Sequence, residues 1–252
     1  MNKIFVLGLF ACSCLYLISN GHAYNSKDKL VGNILKSTLE TYHYKKMTID
    51  DSVSQRAFVE YIKQIDFGKQ FLLKKDVKNL EKYQFLLDDF MVDSNSKVIE
   101  DSMSLVSAGV KRADKYRKEF FKKGFDFSKK ESLELDPDKR KYLKNKSEQK
   151  ELWRKLFKQA TLSRYLDLWQ EQVELKKEKK NKNKKSKKKK AKVSKDKKAK
   201  EEKILTKKEA LEKATKAINE KYEKLFARIL KDDKDDYRER LFNAVSEIFD
   251  PH

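Results

Sequence analysis

The chain has 252 residues, of which 38% are hydrophobic and 40% charged, with a formal net charge of +21. It is polar but not too polar to bury a core, and its length suits one large domain or two small ones. Much of the positive charge sits in one stretch: residues 176–203 hold 17 lysines against Glu178, Asp196, Glu201 and Glu202. The high isoelectric point therefore says little about the part that folds.

Residues 1–23 read as a secretory signal peptide. Lys3 gives a positive start, Ile4 to Ile18 is apolar apart from Ser13, and Gly21-His22-Ala23 suits cleavage before Tyr24. The apolar run is shorter than the ~20 residues a spanning helix needs, so a cleaved leader is preferred over a retained anchor or lipidation at Cys12. Both cysteines, Cys12 and Cys14, lie in this leader. The mature chain is then expected to be periplasmic and not transmembrane. It would have no disulfide, thiolate metal site or cysteine nucleophile.

Helical periodicity recurs through the rest, and no stretch alternates like a set of strands. The predicted fold is all-α. Val53, Ala57, Phe58, Tyr61, Ile62 and Ile65 mark the first apolar face, with Thr48 and Asp51 as its expected cap and Gly68 as its stop. Asp76 is expected to cap one helix carrying Val77, Leu80, Tyr83, Leu87, Phe90 and Met91. After a polar break at 93–96, Val98, Met103, Val106, Val110, Ala113, Tyr116 and Phe120 define the next face. Residues 124–147 read as a connection, with Asp136-Pro137 inside it. A helix from about Glu148 is expected to bury Leu152, Leu156, Phe157, Ala160, Leu166, Trp169 and Val173.

The lysine run follows, with Val193 as its one large apolar side chain. It cannot offset the entropy of ordering, so it is expected to be a disordered insert or a solvated extension of its neighbours. Thr206 and Glu209 form a capping box that restarts helix. Leu211, Ala214, Ile218, Tyr222, Leu225, Phe226 and Ile229 follow as a stripe. Acidic residues 232–236 interrupt it, and Tyr237, Leu241, Ala244, Val245, Ile248 and Phe249 form a last face. The helical domain is thus expected in two parts, 24–175 and 204–252, separated by the insert at 176–203.

Little here can carry chemistry. The three histidines are His22, His43 and His252, too few for a histidine metal site or a Ser-His-Asp triad once the leader is removed. Tyr42-His43-Tyr44 reads as packing. Carboxylates are plentiful, but no spacing marks a catalytic pair. A serine–lysine mechanism would need a desolvated lysine, and most lysines here fall on polar faces. No glycine-rich phosphate loop is present, and no cofactor or metal is expected. The lysine run has no aromatic residues for stacking bases, and lysine lacks the planar fork that reads base edges. Nucleic acid is therefore disfavoured; a solvated, adaptable linker is the preferred reading of the run, and contact with an anionic envelope surface or an acidic partner is the alternative.

Several segments resemble the tail-specific (C-terminal processing) protease family. They include Tyr42-His43-Tyr44, the pattern Ser54…Phe58…Tyr61-Ile62, and Ile65-Asp66…Gln70-Phe71-Leu72…Asp76…Tyr83…Leu87-Asp88. Trp153-Arg154…Lys158 resembles the family's Trp-Arg-x-x-x-Lys element, and Leu241-Phe242-Asn243-Ala244…Phe249-Asp250-Pro251-His252 its Asp-Pro-His-Thr element. Gln70-Phe71-Leu72 lacks the family's aromatic pair.

The resemblance implies the N-terminal helical domain of an exported serine endopeptidase, part of the wall around the substrate path and a docking surface. In the family, a PDZ module and a domain with a serine nucleophile and a lysine base follow. None of those catalytic residues maps onto this sequence, so it implies a chain inactive alone, with protein substrates or a protease or adaptor partner. Phe242, Val245 and Phe249 are expected to be exposed where the last helix hands over. The alternatives are an independent helical adaptor of the envelope and a basic polyanion binder.

Overall fold

A computed structural model describes residues 27–93, 97–186 and 205–249. Within them the fold is all-α. Helix α1 covers 27–42, followed by α2 (Asp51–Ile65), α3 (Lys74–Leu80), a 3-10 turn at Glu81–Tyr83, and α4 (Leu87–Asp93). Then come α5 (Lys97–Lys123), α6 (Lys146–Ser186), α7 (Lys207–Ile229) and α8 (Lys234–Glu247). The one extended pairing among the described residues is the Leu73–Leu143 bridge. The described chain forms two compact units. One holds residues 27–109, Asp136–Lys146 and 231–249; the other holds Val110–Leu135, 147–186 and 205–230. Helices α6 and α7, on either side of the lysine run, share a unit.

In the first unit α2 packs against α8 and α4. The expected α2 face is buried throughout: Val53, Ala57, Phe58, Tyr61, Ile62 and Ile65, with Ser54 beside them. Tyr237, Leu241, Ala244 and Val245 answer from α8. Each valine, leucine, isoleucine or phenylalanine among them stabilises by roughly 1.5–3 kcal/mol when fully buried. The cap of α2 is Asp50, whose carboxylate accepts from the Ser52 and Val53 amides, and not the expected Thr48 and Asp51. Asp233, with Asp236 answering, caps α8.

Two further expectations are corrected in this unit. The single helix expected after Asp76 is three pieces, α3, the 3-10 turn and α4. Apolar spacing of three and four residues fits all of them, so periodicity cannot place the break. A residue from elsewhere in the chain marks it: Ser54 Oγ accepts from the Asp88 amide at 3.0 Å and donates to Asp88 Oδ1 at 2.5 Å, supplying the start of α4. Asp76 does cap, but from inside the first turn of α3, accepting from the Leu73 amide at 2.9 Å. The second correction is at the last helix. Val245 and Phe249 are 0% and 1% exposed rather than uncovered. Phe242 is half-buried.

In the second unit Trp153, Phe157, Tyr222 and Phe226 form one cluster, with neighbouring centroids 4.9–5.9 Å apart. On α6 the buried set is Trp153, Leu156, Phe157 and Leu168, whereas Leu166 is 53% exposed. The expected register failed because large apolar residues occupy more than one face of this helix. On α5 the polar Arg117 is buried where Tyr116 was expected; its guanidinium reaches Asp114 at 2.8 Å, Asn219 at 2.6 Å and Glu223 at 3.3 Å. Helix α5 stops at Gly124, whose φ of 81° suits glycine. The Thr206–Glu209 capping box of α7 is formed.

Helix α6 continues to Ser186, so the start of the lysine run is helical. Lysine is a good helix former, and extending a packed helix is easier than nucleating one. The rest of the run, from residue 187, lies outside the described residues.

Candidate functional site

The first unit carries a groove of about 720 Å³ walled by Phe58, Val59, Ile62, Phe67, Val77 and Tyr142. Val59 and Phe67 remain 61% and 57% exposed, so the groove presents apolar surface to solvent. Both signs of charge rim it, with Arg56 and Lys63 alongside Glu60 and Glu81.

The turn after α2 builds one end. Asp66, 2% exposed, accepts from the amides of Gln70 at 2.9 Å, Phe71 at 3.1 Å and Leu72 at 2.8 Å. This wraps residues 66–72 around one carboxylate and turns Phe67 outward. Burial pushes the Asp66 carboxyl up to about 6, against the three amides and Arg140, which favour its charged form. The left-handed residue of the turn is Lys69, at φ 48°, not Gly68. Gly109 of α5 lies against the same turn, where a side chain would collide with the Phe71 carbonyl oxygen.

The segment 136–146 closes the other wall. Lys69 Nζ donates to the Arg140 carbonyl at 2.8 Å, Arg140 donates to the Gly68 carbonyl at 3.1 Å, and the Lys74 amide donates to the Leu143 carbonyl at 2.8 Å. Tyr142 is thereby set against the groove. Burial and the nearby Asp66 raise its phenol.

A second constellation lies in the other unit. Glu131 accepts from Arg154 and from Lys158 Nζ, the latter at 2.6 Å. Lys158 also donates to the Lys129 carbonyl at 2.9 Å, and Lys155 to the Ser132 carbonyl at 3.2 Å. Arg154 and Lys158 are four residues apart, so α6 presents them on one side. They pin the connection before α6 onto that helix. The two cations hold Glu131 down to about 2.

The segments that carried the resemblance are thus occupied in building the fold. Ser54 starts α4, Asp66 and Asp76 set the turn before α3, Trp153 is core, and Arg154 and Lys158 hold Glu131. His43 accepts from the Lys45 amide at 3.2 Å and meets the edge of Phe249 at 5.4 Å, while Tyr42 and Tyr44 are exposed. Among the described residues no His, Cys, Asp and Glu group is placed to hold a metal, and no helix is long and apolar enough to cross a membrane. Sequence reasoning quoted Asp66 without giving it a structural role, and missed Glu131. The Arg154–Lys158 spacing signals that an anion is needed, but which of many acids supplies it depends on the path of the connection.

The family model described as "Tail specific protease N-terminal domain" matches residues 35–252. The chain is also similar to the tail-specific protease of Haemophilus influenzae (strain ATCC 51907 / DSM 11121 / KW20 / Rd), with 24% identity over 132 residues. That alignment takes in 52% of this chain and 19% of the relative, so the chain spans about a fifth of that protein's length. With the match running through most of its helices, the chain belongs to the tail specific protease N-terminal domain family.

Proposed function

We propose that this chain is a non-catalytic helical domain of an exported, tail-specific serine endopeptidase, and that its groove between α2 and Tyr142 contacts extended polypeptide. The observation that carries the reading is the family match over 35–252 together with the structural use of the matching side chains. Ser54 is engaged by Asp88, and the ammonium of Lys158, the most covered lysine among the described residues, is engaged by Glu131 and the Lys129 carbonyl. Neither supplies the nucleophile or the base of a serine–lysine mechanism. The groove instead offers apolar surface with a mixed-charge rim, which suits a chain segment of varied sequence.

A labelled unfolded polypeptide, followed by fluorescence anisotropy, tests this. Binding is expected, and a Val59→Asp, Phe67→Asp double variant should weaken it about tenfold while staying folded, since both residues are exposed. Equal binding by the variant would remove the groove from the reading. The burial of Val245 and Phe249 within the chain supports a second reading, an independent helical adaptor, because it gives the domain a self-sufficient core.

A further inference from the structure

Helix α6 has an apolar stripe that the described residues of its own unit cover only in part. Leu162 is 39% and Leu166 53% exposed, and Trp169 and Val173 follow, half-buried, in the same register. Three- and four-residue steps keep these on one side of the helix. Trp153, Phe157 and Leu168 face the core from another side.

The next steps of the register are Lys176 and Lys177, both exposed. Helical residues 176–186 carry seven lysines against Glu178 alone. Asp167, Glu171 and Glu174 fall roughly a quarter-turn or more from the midline of the stripe. The ammonium groups of Lys176 and Lys207 lie 5.5 and 5.6 Å from the Trp169 ring centre.

We propose that this face of α6 docks on the surface of an anionic lipid bilayer. Leucine and tryptophan side by side with lysines match the headgroup boundary, where aliphatic groups reach the acyl region and ammonium groups meet phosphates. An acidic protein segment would satisfy the lysines but would leave Leu162 and Leu166 in water. Nucleic acid would do the same, and Trp169 already has cations near its ring.

The test uses the whole chain with vesicles of phosphatidylglycerol and phosphatidylcholine, and with phosphatidylcholine alone. The chain has two tryptophans, and Trp153 is 0% exposed, so a change in emission reports Trp169. The expected result is a blue shift with the anionic vesicles, reversed by high salt and nearly absent with the neutral ones. A Leu162→Ser, Leu166→Ser variant keeps the charge and the reporter, and should bind about tenfold more weakly. A Lys176→Glu, Lys177→Glu variant should lose a similar factor. The apolar run at 4–18 is common to all three chains and cancels in the comparison. Unaltered binding by the serine variant, or equal binding to neutral vesicles, would overturn the proposal. So would soluble polyglutamate displacing the vesicles and itself shifting the emission, which would assign the face to an acidic protein.

Discussion

Ser54 shows how much one side chain can do for this fold. It is fully buried on α2, yet its hydroxyl serves the start of α4, 34 residues away, through the Asp88 amide and carboxylate. Ser54→Ala should cost about 1–2 kcal/mol, the usual loss of a helix start together with a buried amide left unpaired. Urea unfolding measures it, and Asp88→Ala in the same background should add little. Phe249→Asp should cost several kcal/mol, because the ring is enclosed and a carboxylate would replace it.

Asp66 makes a pH-dependent contribution. Its carboxyl lies near 6 in the fold, above the ordinary value of 3.8, with burial as the main cause. The folded state therefore holds the proton more tightly than the unfolded state. This group's contribution to stability is greatest below pH 4 and is lost as pH rises toward 6, by on the order of 2–3 kcal/mol. Asp66→Asn should flatten that part of the stability–pH curve, and denaturant titrations at several pH values would show it.

Among the elements, the connection before α6 depends most visibly on charge. Glu131 is held near 2 by Arg154 and Lys158. A depressed carboxylate stabilises above its ordinary value, and the contribution disappears as pH falls from about 4.5 toward 2. Amide protection around 128–132 should fall over that range once intrinsic exchange is corrected for. Glu131→Gln should reproduce the loss at neutral pH.

The helices were legible where one apolar face meets one core. The α2 face was read residue by residue, as was the Thr206–Glu209 box, because local hydrogen bonds and a single stripe fix them. On α6 the reading slipped, since Leu162, Leu166 and Trp169 compete in the sequence with Trp153, Phe157 and Leu168 for the buried side. The break before Leu87 was hidden for another reason: the hydroxyl that starts α4 comes from Ser54 on α2. The groove was illegible for a similar cause, as its walls at Phe67 and Tyr142 are brought together by hydrogen bonds between 68–74 and 140–143, from the Lys69 and Arg140 side chains and the Lys74 amide to backbone carbonyls.

At the scale of the whole molecule, residues 187–203 of the lysine run lie outside the described residues. That stretch has only Val193 to bury, and lengthening a flexible loop costs just ~0.6 kcal/mol per doubling. Its deletion should shift the melting temperature little. The side chains that carry the resemblance serve helix starts, a turn, an aromatic core and a charge clamp. The most direct measurement is incubation of the purified chain with an unfolded protein ending in an apolar tail, read by mass spectrometry. The intact protein should be recovered unchanged, and new fragments made by an activity that co-purifies with the chain would contradict a non-catalytic domain.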